Sequence, residues 1–309
     1  MSAPVPSAAI PIAIGLTAAI VSMREGEPMI LAARAGDGDT ALPSGPFNPL
    51  DHRTFEIGLR AWVAEQTGAR LGYVEQLYTF GDRGRHAREG DRDPHVVSVG
   101  YLALTRVAPE ETQFRPWYHF LPWEDFRAGR PAMIEAAIVP HLTPWAQAGQ
   151  GRAERVRRLF GGGPDEENVL ERYELLYEAG LVAEARRDGR EAALARNSLP
   201  ALGAPMRFDH RRILATAMGR LRAKMKYRPV IFELMPECFT LTALQRTAEA
   251  ISGRQLHKQN FRRLVEASAV AEDTGEKATG TGGRPAALFR FRRDAVLERA
   301  APGLRVGGR

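Results

Sequence analysis

The segment TFEIGLRAWVAEQTG, residues 54–68, constrains the chain most, because it is the one convincing helix in a run of short strands. Phe55, Leu59, Trp62 and Val63 recur at helical spacing, and Gly68 is the residue type that stops a helix in the left-handed conformation. Around it MILAAR, LGYVEQLYTFGD and VVSVGYLALTRV read as strands, rich in Val, Leu and Tyr and bounded by Gly, Asp and Pro. The apolar run AAIPIAIGLTAAIVSM ahead of them has no preceding basic residues, is broken by Pro11 and Gly15, and is too short to span a bilayer. It is expected to be a buried first strand in a hairpin with MILAAR. The result is a mixed α+β layer domain over residues 1–126.

Residues 127–204 change texture. AERVRRLF and ENVLERYELLYEAGLVAEARR are amphipathic helices broken by GGGPDEE, and they read as a helical insertion whose role is packing. A longer helix follows in DHRRILATAMGRLRAKMKY, with Asp209 placed to cap it, Ile213, Leu214, Ala217 and Leu221 on one face, and Pro229 ending it. Residues 205–228 are thus a final helix and connector, leaving 229–309 as a separate module.

Charge separates that module from the rest. From Arg207 to Arg309 there are 21 Lys and Arg against 10 Asp and Glu, a net of +11, and the other 206 residues hold 22 against 27, a net of −5. A basic module joined to an acidic one fits a polyanion-binding domain fused to a differently employed one. The single cysteine, Cys238, excludes an internal disulfide and points to the cytoplasm; it is expected to be a small buried hydrophobe.

Within the basic module, FTLTALQRTAEA reads as a helix with Thr240 or Thr242 at its start and Leu241, Leu244 and Ala248 inward. ISGRQLH makes a turn. HKQNFRRLVEAS is a second helix with Phe261, Leu264 and Val265 toward the core, Gln259, Arg262 and Arg263 on the opposite face, and Lys258 and Asn260 near its start. VAEDTG and AALFRFRR then flank the loop EKATGTGGRP. The order of helix, turn, basic helix and Gly-rich wing is that of a winged helix-turn-helix whose second helix enters the major groove. Arg pairs with guanine and Asn or Gln with adenine, while Lys277, Gly283 and Arg284 in the wing suit a phosphate backbone. Thr240, Thr242 and Arg246 on the first helix complete the DNA-facing candidates.

The 54–68 helix with its upstream loop, LPSGPFNPLDHRTFEIGLRAWVAEQTGA, resembles in outline the signature of Nudix pyrophosphatases, whose glutamates hold divalent cations against a nucleoside diphosphate. Anchored on Gly68, Ala61 and Trp62 stand in place of Arg-Glu, and Glu65 and Gln66 in place of Glu-Glu; Asp51 is near the first Glu, and the spacing from Gly45 is two residues too long. Glu56 lies nine residues before Glu65, on the opposite helical face at about 100° per residue. Mg²⁺ needs several converging oxygens, so hydrolysis is expected to be absent and no metal is assigned. Nucleotide recognition needs only aromatic faces and cations. Tyr78 and Phe80, with Arg83, Arg85, His86 and Arg88 in the following loop, offer these, although a solvated hairpin with Tyr78 or Phe80 in the core fits the same spacing. His95 reads as a strand-edge residue.

Together the altered Nudix helix, QLYTFGD, VVSVGYLALT, FDHRRIL, FELMPECFTLTALQ, NFRR and GGRPAALFRF resemble the Nudix-related transcriptional regulators of NAD metabolism, the NrtR group. The stretch LRAWVAEQTGARLGYVEQLYTFGDRGRH and the insertion look like its alphaproteobacterial NadQ branch. The resemblance implies a Nudix-like α/β/α sandwich with a helical insertion, followed by a C-terminal winged helix. It implies a cytoplasmic homodimeric repressor of NAD biosynthesis genes that binds a double-stranded operator and needs no cofactor, gated by ADP-ribose, NAD or ATP. The expected ligand contacts are Arg34, Phe47, Trp62 and Glu65 with Tyr78, Phe80, Arg83, Arg85 and His86. The competing expectation is a Nudix hydrolase with an accessory basic domain.

Overall fold

The computed structural model describes residues 12–34, 40–68, 71–82, 95–106, 113–163, 165–278 and 285–292. Its first strand, β1 (Ile12–Arg24), turns through Glu25 and Gly26 into β2 (Glu27–Leu31). Both turn residues have positive φ, 51° and 82°, so the two-residue turn follows the twist of the antiparallel pair Val21–Ile30 to Arg24–Glu27. MILAAR is interrupted at Ala32: β2 stops at Leu31, and β3 (Ala33–Arg34) pairs instead with β4 (Thr40–Ala41).

The remaining strands complete the sheet: β5 (Ser44–Pro46), β6 (Val74–Phe80), β7 (His95–Leu104) and β8 (Phe114–Pro116). The order is β6-β7-β1-β2-β8, with β5 also on β1; β1 and β7 run parallel and every other pair is antiparallel. Because side chains alternate, the continuous apolar run of β1 serves both faces. Leu16, Ala18 and Ile20 meet α1 (Phe55–Thr67), while Ala19 and Val21 face the other side. Helix α1 forms as its sequence dictates: the Thr54 hydroxyl accepts from the Ile57 N–H, and Gly68 closes it at φ 65°.

On the opposite face lie α2 (Val139–Gln147), α3 (Arg152–Phe160), α4 (Val169–Glu178), α5 (Ala183–Arg187), α6 (Glu191–Leu194) and α7 (His210–Met225). Ile213, Leu214, Ala217 and Leu221 of α7 are fully buried there, and Ile213 lies over Gly100 of β7. The core of this face is continuous from the sheet through the insertion into the C-terminal module, where it includes Leu244, Ile251, Phe261 and Val265. Asp209 holds the N-cap position of α7 but makes no side-chain capping bond. It is buried, with its carboxylate 3.9 Å from Arg212 Nη1, so it serves an ion pair instead of the helix end.

The C-terminal module comprises β9 (Cys238–Phe239), α8 (Leu241–Ser252), α9 (Lys258–Ser268), β10 (Ala271–Ala278) and β11 (Ala286–Phe291), with strand order β10-β11-β9. Two expectations fail here. Cys238 is exposed, because alternation along β9 gives the inward position to Phe239. Leu264 is 37% exposed: Phe261 and Val265 set the buried line of α9, and Leu264 falls about 100° away from Val265. Strand β10 also runs past VAEDTG through Glu276 and Lys277, since Lys277 pairs with Ala287, so most of what reads as the start of the wing loop is strand. Among the described residues no helix is long and apolar enough to cross a membrane.

Candidate nucleotide pocket and nucleic-acid interface

On the α1 face lies Trp62, the residue that the motif resemblance sets in place of a metal-binding glutamate. Its indole nitrogen abuts β5: a Cβ on Gly45 would come within 1.6 Å of Trp62 Nε1. Trp62 is 9% exposed, and its buried Nε1 has no hydrogen-bond partner. The Trp62 ring thus fills the space between helix and strand. Glu65 and Gln66 are exposed on the next turn, and Glu56 on the far side pairs with Arg60 at 2.9 Å. Asp51, in the loop before the helix, is held by the Asn48 side-chain amide at 2.5 Å. Among the described residues no three His, Cys, Asp or Glu side chains converge as a metal site would require. Phe47, half-buried, sets its ring edge-on to Phe55 at 4.5 Å beside this helix, so Phe47, Trp62 and Glu65 belong to one side of the sheet.

Phe80 belongs to the other. It is 1% exposed, packed over Gly100 and beneath the Arg212 guanidinium at 5.3 Å, and so offers no face for stacking. This corrects its assignment as a ligand contact; the edge strand β6 turns Phe80 toward α7. Tyr78, 62% exposed, sets its ring edge-on to Phe80 at 5.5 Å and keeps a free face. Arg34 lies in β3. Arg83, Arg85, His86 and Arg88 lie outside the described residues. His95 opens β7, and its Nε2 is 3.0 Å from the Gly81 carbonyl, a strand-edge contact as expected.

In the C-terminal module, Thr240 caps α8 by accepting from the Ala243 N–H at 3.1 Å, and Thr242 and Arg246 are exposed on the same helix. The left-handed Gly253 (φ 73°) then turns the chain into α9. On α9 the side chains of Lys258, Gln259, Asn260, Arg262 and Arg263 are all exposed. Lys277 is exposed on β10; Gly283 and Arg284 lie outside the described residues. An exposed helix face of amides and guanidiniums beside a two-stranded wing supplies bidentate donors for base edges and cations for phosphates.

A buried polar cluster that the sequence reading missed joins the two regions. Arg222 of α7 donates to Glu124 Oε2 at 2.9 Å, to the Ile251 carbonyl of α8 at 2.9 Å and to the Tyr118 hydroxyl at 3.2 Å. Arg172 of α4 reaches Glu124 Oε1 at 2.6 Å, and Tyr118 donates to the Ala250 carbonyl at 2.7 Å. Burial holds the Tyr118 phenol above its ordinary value, and the Arg222 charge pulls it back. Gly253 closes the cluster, since a Cβ there would come within 2.4 Å of the Glu124 carbonyl. The signal in the sequence was PWEDF, an acidic pair between aromatic residues, together with the arginines on otherwise apolar turns of α4 and α7.

Residues 231–291 match the family described as the NrtR DNA-binding winged helix domain. The C-terminal module is an NrtR-type winged helix. The chain is 43% identical over 91 residues to the ADPR responsive transcriptional repressor NtrR of Acinetobacter baylyi, a match covering 29% of this chain and 36% of that relative, so it spans about a third of the relative's length. Across the whole fold it is similar to Shewanella oneidensis NrtR complexed with a 27mer DNA, with a TM-score of 0.55 and 22% identity, covering 96% of this chain and 99% of that one. It is also similar to a MutT/nudix family protein from Enterococcus faecalis, with a TM-score of 0.50 and 14% identity over 94% and 89% of the two chains. The expected architecture, a Nudix-like α/β layer domain followed by a winged helix, is the one observed.

Proposed function

We propose that this protein is a transcriptional repressor of NAD biosynthesis genes whose winged helix binds a double-stranded operator and is controlled by an NAD-related nucleotide in the Nudix-like domain. The observation that carries this reading is the joining of the two parts. The α7 helix that covers the sheet also bonds, through Arg222, to the backbone of α8 at the foot of the DNA-reading unit. A ligand that binds one arrangement of the sheet and its covering helices better than another biases the winged helix by that difference in affinity. The name of the Acinetobacter relative favours ADP-ribose as the effector, with NAD and ATP as the other nucleotides to compare. Binding as a homodimer would match a two-fold operator, since paired readers double the phosphate and base contacts.

We infer further that the Nudix-like domain senses without cleaving. The motif resemblance sets Trp62 in place of a metal-binding carboxylate, and Gln66 offers only a neutral oxygen.

Gel-shift titration against fragments upstream of NAD biosynthesis genes, with and without ADP-ribose, NAD or ATP, tests the first reading. The expected result is specific retardation changed by one of the three nucleotides; no retardation on any such fragment sinks it. Incubation with ADP-ribose or NADH plus Mg²⁺ or Mn²⁺ tests the second. Steady turnover that disappears in Glu65→Gln would restore the hydrolase.

A further inference from the structure

The helical insertion contains a cavity of about 850 Å³ that no residue assigned above to nucleotide or DNA lines. Its walls are Trp145 of α2, Arg152 at the start of α3, Glu174, Tyr177 and Glu178 of α4, and the turn from Asp188 to Arg190 with the first two residues of α6, with Asp82 also lining it. The volume falls in the range of small-molecule sites, about 300–1,000 Å³.

Most of its carboxylates already have cations. Glu178 takes two hydrogen bonds from Arg155, at 2.6 and 3.1 Å. Glu174 and Asp82 share Arg212 at 2.5 and 2.6 Å, and Asp188 pairs with Arg187 at 2.9 Å while accepting from the Tyr177 hydroxyl at 3.0 Å. Two guanidiniums on the wall differ. Arg152 lies over the Trp145 indole at 4.5 Å and gives one N–H to the Trp145 carbonyl at 3.3 Å, Arg190 lies over the Tyr177 ring at 5.5 Å, and among the described residues neither forms an ion pair with a carboxylate. Elsewhere in the insertion Arg130, Arg155, Arg172 and Arg187 each hold a carboxylate, while Arg186 and Arg196 spend donors on backbone carbonyls, so what sets Arg152 and Arg190 apart is the aromatic ring under each on the cavity wall.

A guanidinium laid on an aromatic face is held in orientation, and of its five N–H donors Arg152 spends one on the Trp145 carbonyl, leaving the others for bidentate recognition of an oxyanion. Counting the partner arginines, cations and carboxylates around the cavity balance, so directed donors, and not bulk charge, would select the ligand. We propose that this cavity is a second small-molecule site, for a metabolite bearing a phosphate or carboxylate group held by Arg152 and Arg190.

Trp145 is a built-in reporter: it is half-buried on the cavity wall, whereas Trp62, Trp117 and Trp123 are 9%, 0% and 0% exposed. The full-length protein is titrated with inorganic pyrophosphate and, separately, citrate at constant ionic strength, with tryptophan emission and titration calorimetry as readouts. At least one anion is expected to saturate. Its emission signal disappears in Trp145→Phe, and the double variant Arg152→Ala/Arg190→Ala binds it at least tenfold more weakly by calorimetry. Arg158→Ala, exposed on the same helix and off the cavity wall, keeps wild-type affinity, and circular dichroism of each variant checks the fold. The tighter anion shows whether phosphate or carboxylate is the preferred group. No saturable binding of either anion, or wild-type affinity in the double variant, overturns the proposal. Neither readout uses DNA or ADP-ribose, so this result is independent of the repressor reading.

Discussion

Arg222 and Glu124, each 1% exposed, form an ion pair at 2.9 Å in the seam where α7, the insertion and α8 meet. The same guanidinium also donates to the Ile251 carbonyl, so one side chain ties the sheet-covering helix to the winged helix. Removing Arg222 leaves Glu124 with Arg172 as its cation and takes the guanidinium donor from the buried Ile251 carbonyl, and leaving such a buried acceptor unsatisfied costs about 1–3 kcal/mol. Arg222→Met is therefore expected to destabilise the protein by that amount in urea unfolding, and to weaken the effect of the nucleotide on operator binding where the variant still folds. Wild-type stability in Arg222→Met would show that the pair contributes little to the seam.

Gly45 and Trp62 make a sharper test of the Nudix-like site. The indole fits only because position 45 has no side chain, so Gly45→Ala forces the ring or the strand to move. Overpacking of this kind costs about 1–3 kcal/mol. If the clash is the cause, the Gly45→Ala penalty should largely vanish in a Trp62→Ala background, where the methyl group meets empty space. A double-mutant cycle in urea reads this directly, and an undiminished penalty would locate the effect in the β5 backbone instead.

The sequence made legible those features that depend on local rules. Thr54 and Gly68 mark the ends of α1, the continuous apolar runs of β1 and β7 mark strands buried on both faces, and the order of α8, α9 and the wing specifies the winged helix. What it hid was long-range. Phe80 looks the same in the sequence whether it stacks on a ligand or packs under Arg212, and that choice is made by α7, more than a hundred residues later. The Tyr118–Glu124–Arg172–Arg222 cluster draws on three separated segments, and no single-window periodicity contains it. Cys238 and Leu264 failed for a smaller reason: apolar character predicts burial on average, whereas strand alternation and helix phase decide each case.

Glu166 ties stability to pH. It is 6% exposed and pairs with Arg254 at 2.7 Å; burial raises its pKa above the ordinary 4.5, against the lowering effect of Arg254, Lys226 and Arg222. A carboxyl whose folded pKa is raised takes up its proton more readily in the folded state. Its burial is therefore a cost above the folded pKa, and the cost fades as pH falls through that value toward 4.5. Relative to Glu166→Gln, which cannot titrate, the wild type should gain stability as pH is lowered from 7 toward 4.5. Parallel stability profiles for the two proteins, measured by denaturant unfolding at several pH values, would rule out this contribution.

The phase of α9 divides labour between its two adjacent arginines. Phe261 and Val265 define the buried line, and at about 100° per residue Arg263 points about 180° from it while Arg262 lies only about 80° away. With the helix in a major groove, the first direction leads to base edges and the second to the flanking backbone. Arg263→Ala is expected to lose about 1–3 kcal/mol on the operator and little on random DNA, whereas Arg262→Ala should weaken both alike and lower the salt dependence by about one ion. Gel shifts of both variants on operator and scrambled fragments at several salt concentrations distinguish the roles. A loss for Arg262→Ala confined to the operator would mean that the helix is rolled in its groove, bringing Arg262 to the bases.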